Sequence, residues 1–404
     1  MNIIKEISKL NDLIGSVRRK KSELNIVCGN YNQEIVSILK KVCPYSKVGL
    51  ISFSKTYQNM GKELVKTISL VGCKTVSLIM PEKYSDSIDY AGLLFNLPED
   101  VRCIITLDRE LCHVATYFSG IREVPMIYLA KESLIYKSLD DVIFIKNGGK
   151  TEKITCDSQK YLVVDPDFIK ENDLSRMFAH VVSKTVAVFD YKIYKSLMGE
   201  KVNKTILSNL IATIGDTVKI MDVPIDERLQ TLMLNCIKIE ILNYLSDGEL
   251  FSYSSEVYAG KILSGKSDFY SIELGAAIKI LAYYSDFFGS TEAFPVFPNY
   301  NLRAETVASI IKISEKDLLD AFILHTDRFF KEKEKYFSVI NSLCQDAEKA
   351  FDVAVKLKST YLTLGGKESF GISEELLFEG IRFSGDVPFF FNGMTVLREI
   401  GILE

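Results

Sequence analysis

Residues 47–80, KVGLISFSKTYQNMGKELVKTISLVGCKTVSLIM, contain the pattern that decides the fold. The stretch begins with one apolar, strand-forming run, KVGLISF, and ends with another, KTVSLIM. Between them, residues 59–72 have apolar side chains at helical spacing, and Gly72 suits the position just past a helix end. A strand, a helix and a second strand in this order predict a βαβ unit with parallel strands.

The same alternation continues on both sides of this unit. Predicted strands lie at residues 23–29, 47–54, 74–80, 101–107 and 125–130. Predicted helices lie between them at residues 32–42, 59–72, 89–97 and 110–120. Residues 141–149 and 151–156 are predicted to pair as a hairpin that turns at Gly148-Gly149, and residues 160–165 to form a last strand. We therefore expect a parallel-sheet, nucleotide-type domain.

From Asp165 onward the pattern is helical, and Asp165-Pro166-Asp167 is a good helix start. Predicted helices are 173–198, 203–220, 225–246, 254–264, 270–288, 303–313, 315–331, 334–361 and 373–383. The predicted organisation is an N-terminal helix (1–22), an α/β Rossmann-like domain (23–164) and an all-helical domain (165–404). A ligand cleft is expected between the last two.

Composition narrows the class of protein. The chain has 404 residues, of which 47% are hydrophobic, and a net charge of −4. This charge predicts no general attraction to nucleic acid or to an anionic membrane. Its eight cysteines form no CxxC pair and are expected to be reduced core residues. With neither a signal peptide nor an apolar run of ~20 residues in the sequence, we expect a cytoplasmic protein.

Three segments carry a resemblance to a known superfamily. They are residues 47–82, residues 161–193 (YLVVDPDFIKENDLSRMFAHVVSKTVAVFDYKI) and residues 373–403 (SEELLFEGIRFSGDVPFFFNGMTVLREIGIL). In order and framework they resemble the iron-containing alcohol dehydrogenase and glycerol dehydrogenase superfamily, with the sn-glycerol-1-phosphate dehydrogenases closest and the dehydroquinate synthases more distant. The resemblance implies an α/β plus all-α fold, and reduction of a ketone with NAD(P) and zinc or iron.

The motifs that bind the cofactor in that superfamily are altered. There, the strand matching 101–107 leads into a glycine-rich turn and then a helix that carries an Asp. The resemblance places Leu107, Asp108 and Arg109 on the glycines and His113 on the Asp, while Phe53 stands where an Asp often holds the ribose. Side chains at this turn would fill the space that a pyrophosphate needs, and Asp108 would add negative charge that Arg109 could offset. We expect no bound NAD(P).

The metal-binding motifs are altered as well. The superfamily uses one Asp and two His from separate helices to hold zinc or iron. The resemblance places His180 on the Asp, with Lys184 matching a frequent family Lys. The Ser-Glu-His-His run survives only as far as Glu256, which Val257-Tyr258 follow, and the second His position is Tyr270. One imidazole and a phenol do not make an ordinary catalytic metal site, so no metal is expected.

Several candidate residues have ordinary structural explanations. His180 is predicted to be a core or cleft residue, and Glu256 a charge that complements a helix N-terminus. His325 is predicted to lie on a helix face near Asp320 or Asp327. The FFFNG run, residues 389–393, is predicted to pack in the core, the alternative being an exposed patch for a partner. It replaces the Arg-Asp-Arg-Tyr-Thr run of the glycerol-1-phosphate dehydrogenases.

Three functions follow from these observations. The first, which we favour, is a degenerate glycerol-1-phosphate dehydrogenase-like pseudoenzyme. It would act as a structural or regulatory partner, either of a second copy of this chain or of an active paralogue, or it would bind a small molecule. The second is a divergent NAD(P)-dependent, metal-assisted alcohol or polyol oxidoreductase. The third is different chemistry in the interdomain cleft, with His180, Lys184 and Glu256 as acid–base groups and Tyr270 beside them. No catalytic, cofactor-binding or metal-binding residue is assigned.

Overall fold

The computed structural model describes most of the chain. The described residues are 3–17, 23–81, 97–131, 134–135, 138–139, 141–147, 150–156, 158–168, 173–252, 254–263, 265–291, 300–311, 314–386 and 391–403. The chain divides into unit 1, Met1–Glu171 with Leu229–Gly248, and unit 2, Asn172–Arg228 with Glu249–Glu404. This division differs from the predicted boundaries, because residues 229–248 group with the sheet rather than with the other helices.

Unit 1 contains a six-stranded parallel sheet in its described part. Its strands are β1 (Leu24–Cys28), β2 (Lys47–Phe53), β3 (Lys74–Met80), β4 (Val101–Thr106), β5 (Met126–Ala130) and β8 (Lys160–Val164). They lie in the order β1-β8-β5-β4-β2-β3. Strands β6 (Val142–Asn147) and β7 (Lys150–Thr155) pair antiparallel. The predicted parallel sheet and hairpin are confirmed, while the Gly148-Gly149 turn lies outside the described residues.

Apart from residues 229–248, the longer helices in the described part of unit 1 are amphipathic and cover the sheet. They are α1 (Ile3–Val17), α2 (Tyr31–Val42), α3 (Lys62–Leu70), which a π-helical turn over Tyr57–Gly61 precedes, and α4 (Cys112–Arg122). Ile35, Leu39 and Ile68 are buried in one core cluster with strand residues such as Leu50 and Ile105. The predicted helix over 89–97 falls almost wholly outside the described residues.

Helix α1 packs on this chain's own sheet. The Asn11 amide nitrogen donates to the Ile26 carbonyl at 2.9 Å, and the Ile26 N–H donates back to the Asn11 oxygen at 3.0 Å. Ile26 belongs to β1, the edge strand of the sheet in the described residues, so one side chain satisfies backbone groups on the outer side of that strand. Ile7, Leu10 and Ile14 on the same helix are buried. The sequence alone left open whether α1 packs on this chain or on another.

Unit 2 is helical throughout its described part. Its helices are α5 (Leu174–Ser183), α6 (Thr185–Met198), α7 (Lys204–Val218), the start of α8 (Ile225–Leu245), α9 (Ser255–Ile262), α10 (Phe269–Phe287), α11 (Tyr300–Ile311), α12 (Glu315–Thr363), α13 (Glu374–Phe383) and α14 (Gly393–Glu399). The predicted helix over 173–198 is two helices that meet at Lys184. Helix α14 was not predicted, although Asn392 and Thr395 form its capping box.

Two predictions about the whole chain concern the membrane and the cysteines. Across the ranges that the structure describes, no helix combines the length and apolarity that a membrane crossing needs. None of the eight cysteines, all of which the structure describes, is in a disulfide, and six of them are buried. The prediction of reduced core cysteines is therefore confirmed for those six, and Cys28 and Cys344 are partly exposed.

Candidate functional site

The first candidate site is the carboxyl edge of the sheet between β2 and β4. From β2 the chain moves outward to β3, whereas from β4 it moves the opposite way to β5 and β8. Such a reversal is a topological switch point, and open parallel sheets bind ligands in the crevice at that point. The altered turn after β4, Leu107 to Arg109, lies at this place.

The Asp108 side chain bridges this crevice through its hydrogen bonds. Its Oδ2 accepts from the Phe53 N–H at 2.8 Å, and its Oδ1 accepts from the Thr56 hydroxyl at 2.6 Å and from the Lys131 ammonium at 2.5 Å. The side chain is 1% exposed. One carboxylate that follows β4 thus joins the chain that follows β2 to the chain that follows β5.

These residues do not fit a dinucleotide. Leu107 is fully buried, and the Asp108 carboxylate occupies the donors to which a phosphate would bind. The sequence suggested Arg109 as the partner that offsets Asp108. Arg109 instead pairs with Glu110 at 3.1 Å, and the partner of Asp108 is Lys131, which sequence reasoning missed. Lys131 directly follows β5, a position at which a basic residue reaches the same sheet edge.

The second candidate site is a buried ionic cluster in unit 2, formed by His180, Lys184, Glu256 and Glu273. The Lys184 Nζ lies 3.2 Å from Glu256 Oε1 and 3.0 Å from Glu273 Oε1. The His180 Nδ1 lies 3.2 Å from Glu273 Oε2. All four side chains are at most 1% exposed.

Local structure explains how these side chains meet. His180 and Lys184 lie one helical turn apart at the end of α5. Glu256 is in the first turn of α9, and Glu273 lies inside α10. Phe251 packs beside the cluster, with the Lys184 ammonium 5.0 Å from its ring centre. The cluster is therefore closed by apolar packing as well as by charge.

The charged groups of the cluster shift one another's pKa values. Burial would lower the pKa of Lys184, but Glu273 and Glu256 outweigh burial and raise it above its usual value. Burial would likewise raise the pKa of Glu273, but Lys184 and His180 hold it below its usual value. For Glu256, burial dominates over Lys184 and the pKa is raised. Lys184 is thus the cation on which the buried carboxylates depend.

The remaining predicted residue, Tyr270, borders the cluster without joining its ion pairs. Its ring meets the His180 ring edge-on, with centroids 4.9 Å apart, and the Arg176 guanidinium lies 5.4 Å from its centre. The structure thus brings all four sequence candidates together within unit 2, and their place in an interdomain cleft stays a prediction. Sequence reasoning missed Glu273, whose position as the one charged residue in the first ten residues of α10 was the available signal.

The donor set does not fit zinc or iron. His180, which the resemblance places at the metal Asp position, is paired with Glu273, and Val257 and Tyr270 stand where the resemblance places histidines. The space between the two carboxylates holds an ammonium group. Within the described ranges, no three His, Cys, Asp or Glu side chains are grouped so that they could hold a metal ion.

Next to the cluster, Asp190 joins three further helices to α6. Its carboxylate accepts from the Ser255 N–H at 2.7 Å, from the Tyr284 hydroxyl at 2.6 Å and from the Gly393 N–H at 2.8 Å. Ser255 and Gly393 begin α9 and α14, so one acid caps two helices. Gly393 must be glycine here, because a Cβ would lie 2.4 Å from the Tyr284 ring.

We expect Asp190 to make stability depend on pH. Burial raises its pKa from 3.8 to about 7, against the opposing hydrogen bonds of Tyr284, Gly393 and Ser255. Between about pH 4 and 7 the unfolded state therefore loses a proton that the folded state keeps. The stability that Asp190 contributes is complete below its unfolded pKa, falls as pH rises through this window, and is constant above it.

Urea unfolding of wild type and Asp190→Asn from pH 4 to 8 measures this effect. As pH rises to about 7, the free energy of unfolding of the variant should increase relative to that of the wild type by at most about 4 kcal/mol, since a shift of one pKa unit corresponds to about 1.4 kcal/mol. Above pH 7 the difference should stay level. A difference between the two proteins that is the same at every pH would contradict the prediction.

A third group of charges, the C-terminal arginine cluster, comprises Arg303, Asp386 and Arg398. Asp386 accepts from Arg303 Nε at 2.8 Å and from Arg398 Nη1 at 2.7 Å. The Arg398 Nη2 also lies 3.3 Å from the Nδ1 of His325. His325 is 1% exposed, and burial with nearby arginines lowers its pKa to about 3. His325 lies on a helix, α12, as predicted, and its ring faces Arg398.

The FFFNG run packs inward where it is described. Phe391 is 5% exposed and Asn392 is fully buried, while Phe389 and Phe390 lie outside the described residues. The Phe391 ring lies 4.2 Å from the His325 ring. Its described part therefore belongs to the core, as predicted.

Comparisons with known proteins identify the fold. No family model matches the chain, and no curated protein matches it in sequence. Among solved structures, it is similar to the iron-containing alcohol dehydrogenase of Thermococcus thioreducens, with 10% identity over 94% of this chain and 97% of that chain and a TM-score of 0.57. A 1,3-propanediol oxidoreductase gives the same four values.

An archaeal alcohol dehydrogenase from a Red Sea brine pool is similar to the same extent. It is 12% identical over 94% of this chain and 96% of that chain, with a TM-score of 0.56. At these identities the likeness concerns the fold, and it confirms the fold that the resemblance implied. The chain has the fold of the iron-containing alcohol dehydrogenases.

Proposed function

We propose that this chain is a degenerate, glycerol-1-phosphate dehydrogenase-like protein without NAD(P)- or metal-dependent activity. In this proposal it works as a binding module or as a regulatory or structural partner. The observation that carries the proposal is the Lys184 ammonium, which is fully buried between Glu256 and Glu273. A positive charge there repels a divalent cation and satisfies the carboxylates that would otherwise bind one.

The same observation weighs against acid–base chemistry by the cluster. Substrate must reach a general acid or base within hydrogen-bond distance. Lys184, Glu256 and Glu273 are fully buried, and their charged atoms are engaged with one another. The cluster is therefore better suited to holding α5, α9 and α10 together than to turnover.

The second candidate function is a divergent NAD(P)-dependent, metal-assisted alcohol or polyol oxidoreductase. Its support is the fold, which the chain shares with solved oxidoreductases. Fold alone does not carry chemistry, since one fold hosts many functions. We rank this candidate second because neither altered motif offers a group that replaces the missing ligands.

Binding and metal content separate the two functions. Calorimetry with NAD⁺, NADH and NADPH should give no heat of binding, and elemental analysis of the purified protein should find no stoichiometric zinc or iron. Assays with glycerol 1-phosphate, dihydroxyacetone phosphate and 1,3-propanediol should give no hydride transfer. The 1,3-propanediol oxidoreductase, assayed in parallel, is the positive control. Cofactor binding together with a metal-dependent reduction would overturn the proposal and establish the second function.

The proposed partner is a second copy of this chain or an active paralogue, with a small molecule as a further ligand. We place the protein in the cytoplasm. Light scattering on a sizing column tests self-association, and a purely monomeric protein at micromolar concentration would leave the paralogue as the partner. Co-purification with that paralogue, expressed together with this chain, then tests the proposed role as a regulatory partner.

A further inference from the structure

Three donors of unit 1 converge on the single carboxylate of Asp108. They are the backbone N–H of Phe53, the hydroxyl of Thr56 and the ammonium of Lys131, all within 2.8 Å of its oxygens. A main-chain N–H, a hydroxyl and a cation together form a donor set with which proteins bind oxyanions. The arrangement is therefore an anion site, and a side chain of the protein is the anion.

The position of this site adds a second, independent argument. It lies at the carboxyl edge between β2 and β4, where the direction of the strand connections reverses. Crevices of this kind receive ligands from solution. In this chain the crevice is bridged instead, since Phe53 ends β2 and Thr56 follows it, Asp108 follows β4 and Lys131 follows β5.

We propose that Asp108 is a built-in anion that occupies an oxyanion-binding site. Phosphate or a small carboxylate enters that site only when the Asp108 side chain is removed. The proposal rests on the proposed function and deepens it, because it names the group that keeps the phosphate of a dinucleotide away from this edge. Two effects exclude the phosphate, namely the like charge of Asp108 and the prior use of all three donors.

The site is built to accept an external anion once it is vacated. Lys131 is 24% exposed in its side chain, so solvent ions reach it, whereas Thr56 is buried and stays in place. Asp108 itself has extended backbone angles, φ −118° and ψ 128°, which a small residue adopts without strain. Truncation at this position therefore removes the carboxylate without demanding a new backbone conformation.

The test is anion rescue of Asp108→Ala. Thermal unfolding is followed in sodium chloride, sodium formate and sodium phosphate of equal ionic strength. Formate replaces the lost carboxylate, and phosphate tests the wider oxyanion class. We expect both anions to raise the melting temperature of the variant by more than that of the wild type, since phosphate stabilises folded proteins in general. By calorimetry, phosphate should bind the variant about tenfold or more tightly than it binds the wild type. This factor corresponds to one charge-assisted hydrogen bond, which phosphate gains in the variant and Asp108 holds in the wild type.

Two further variants make the result specific. Asp108→Asn keeps the shape of the side chain and loses its charge, so it should not be rescued, because the site is still filled. Asp108→Ala with Lys131→Met should lose the rescue, because the cation is gone. If Asp108→Ala does not fold in sodium chloride, its refolding in formate and in phosphate is measured instead. Failure of the variant to refold in both formate and phosphate overturns the inference.

Three outcomes separate this inference from the proposed function. Phosphate binding to the wild type as tight as to Asp108→Ala would overturn the inference, because the site would not be occupied by Asp108. Absence of rescue with no NAD(H) binding by the wild type would overturn the inference alone. NAD(H) binding and turnover by the wild type would overturn both.

Discussion

Replacing Lys184 with methionine is expected to lower the free energy of unfolding by about 3–5 kcal/mol, the usual cost of removing one partner from a buried ion pair. The side chain is fully buried, and its ammonium lies within 3.2 Å of both Glu256 and Glu273. Methionine matches the length of the lysine but leaves two buried carboxylates without a cation. Urea denaturation at pH 7 measures the loss.

Lys192→Met is the matched control for this substitution. Lys192 lies further along on α6 and pairs with Asp346 at 3.5 Å, and both side chains are solvent-accessible, at 26% and 56%. Exposed pairs contribute about 0–1 kcal/mol, so this variant should unfold close to the wild type. Equal losses in the two variants would show that Lys184 does not neutralise the buried carboxylates.

Two additional measurements separate charge from packing in Lys184→Met. Adding Glu256→Gln and Glu273→Gln should recover most of the stability, because no uncompensated charge is then buried. In the single variant, the pKa of each buried carboxyl should rise without its cation. Its loss of stability should therefore shrink as pH falls below neutral and these carboxyls become protonated in the folded state. A loss that is independent of pH would point to packing instead.

Replacing Asp386 with alanine is expected to have an effect of similar size, about 3–5 kcal/mol. Asp386 is 1% exposed and neutralises Arg303 and Arg398, which are themselves at most 8% exposed. Without it, Arg398 keeps Glu399 as a partner, but the charge-assisted bond of Arg303 Nε is lost. Thermal and urea unfolding measure the effect.

Asp346→Ala is the control for Asp386→Ala, because it removes the other half of the exposed Lys192 pair. A loss no larger than that of this control would mean that solvent reaches Arg303 and Arg398 in the folded state. A larger loss would identify the C-terminal arginine cluster as a structural anchor. It joins α11, α14 and the chain that follows α13.

The long helix α12 shows which structural features the local sequence pattern predicts and which it does not. The sequence predicted two helices, 315–331 and 334–361, and the structure has one helical element with non-helical angles at Glu332 (φ −121°, ψ 23°). The break was therefore predicted, but not its reason. Arg328 and Lys335 on either side of it both donate to the Leu197 carbonyl at the end of α6, at 2.7 and 2.6 Å. That contact is tertiary, so spacing along the chain does not reveal it.

Local sequence determined the order of the elements and the class of the fold. The period of the apolar residues and the turn residues that separate the strands act over a few positions, and they were sufficient to predict the parallel sheet, its hairpin and most of the helices. The same kind of reasoning predicted that the glycines and histidines of the resembled superfamily are replaced. Both conclusions depend on residues that are near neighbours in the chain.

Only the tertiary structure decided which charges stand where those ligands would be. Asp108 meets Lys131 and Thr56, and Lys184 meets Glu256 and Glu273, across separations of 23 to 89 residues. A single sequence does not show which charges pair with one another, because a charge looks the same whether it faces water or a buried partner. Burial makes the difference, since an ion removed from water must find an opposite charge, and the fold alone brings that charge to it.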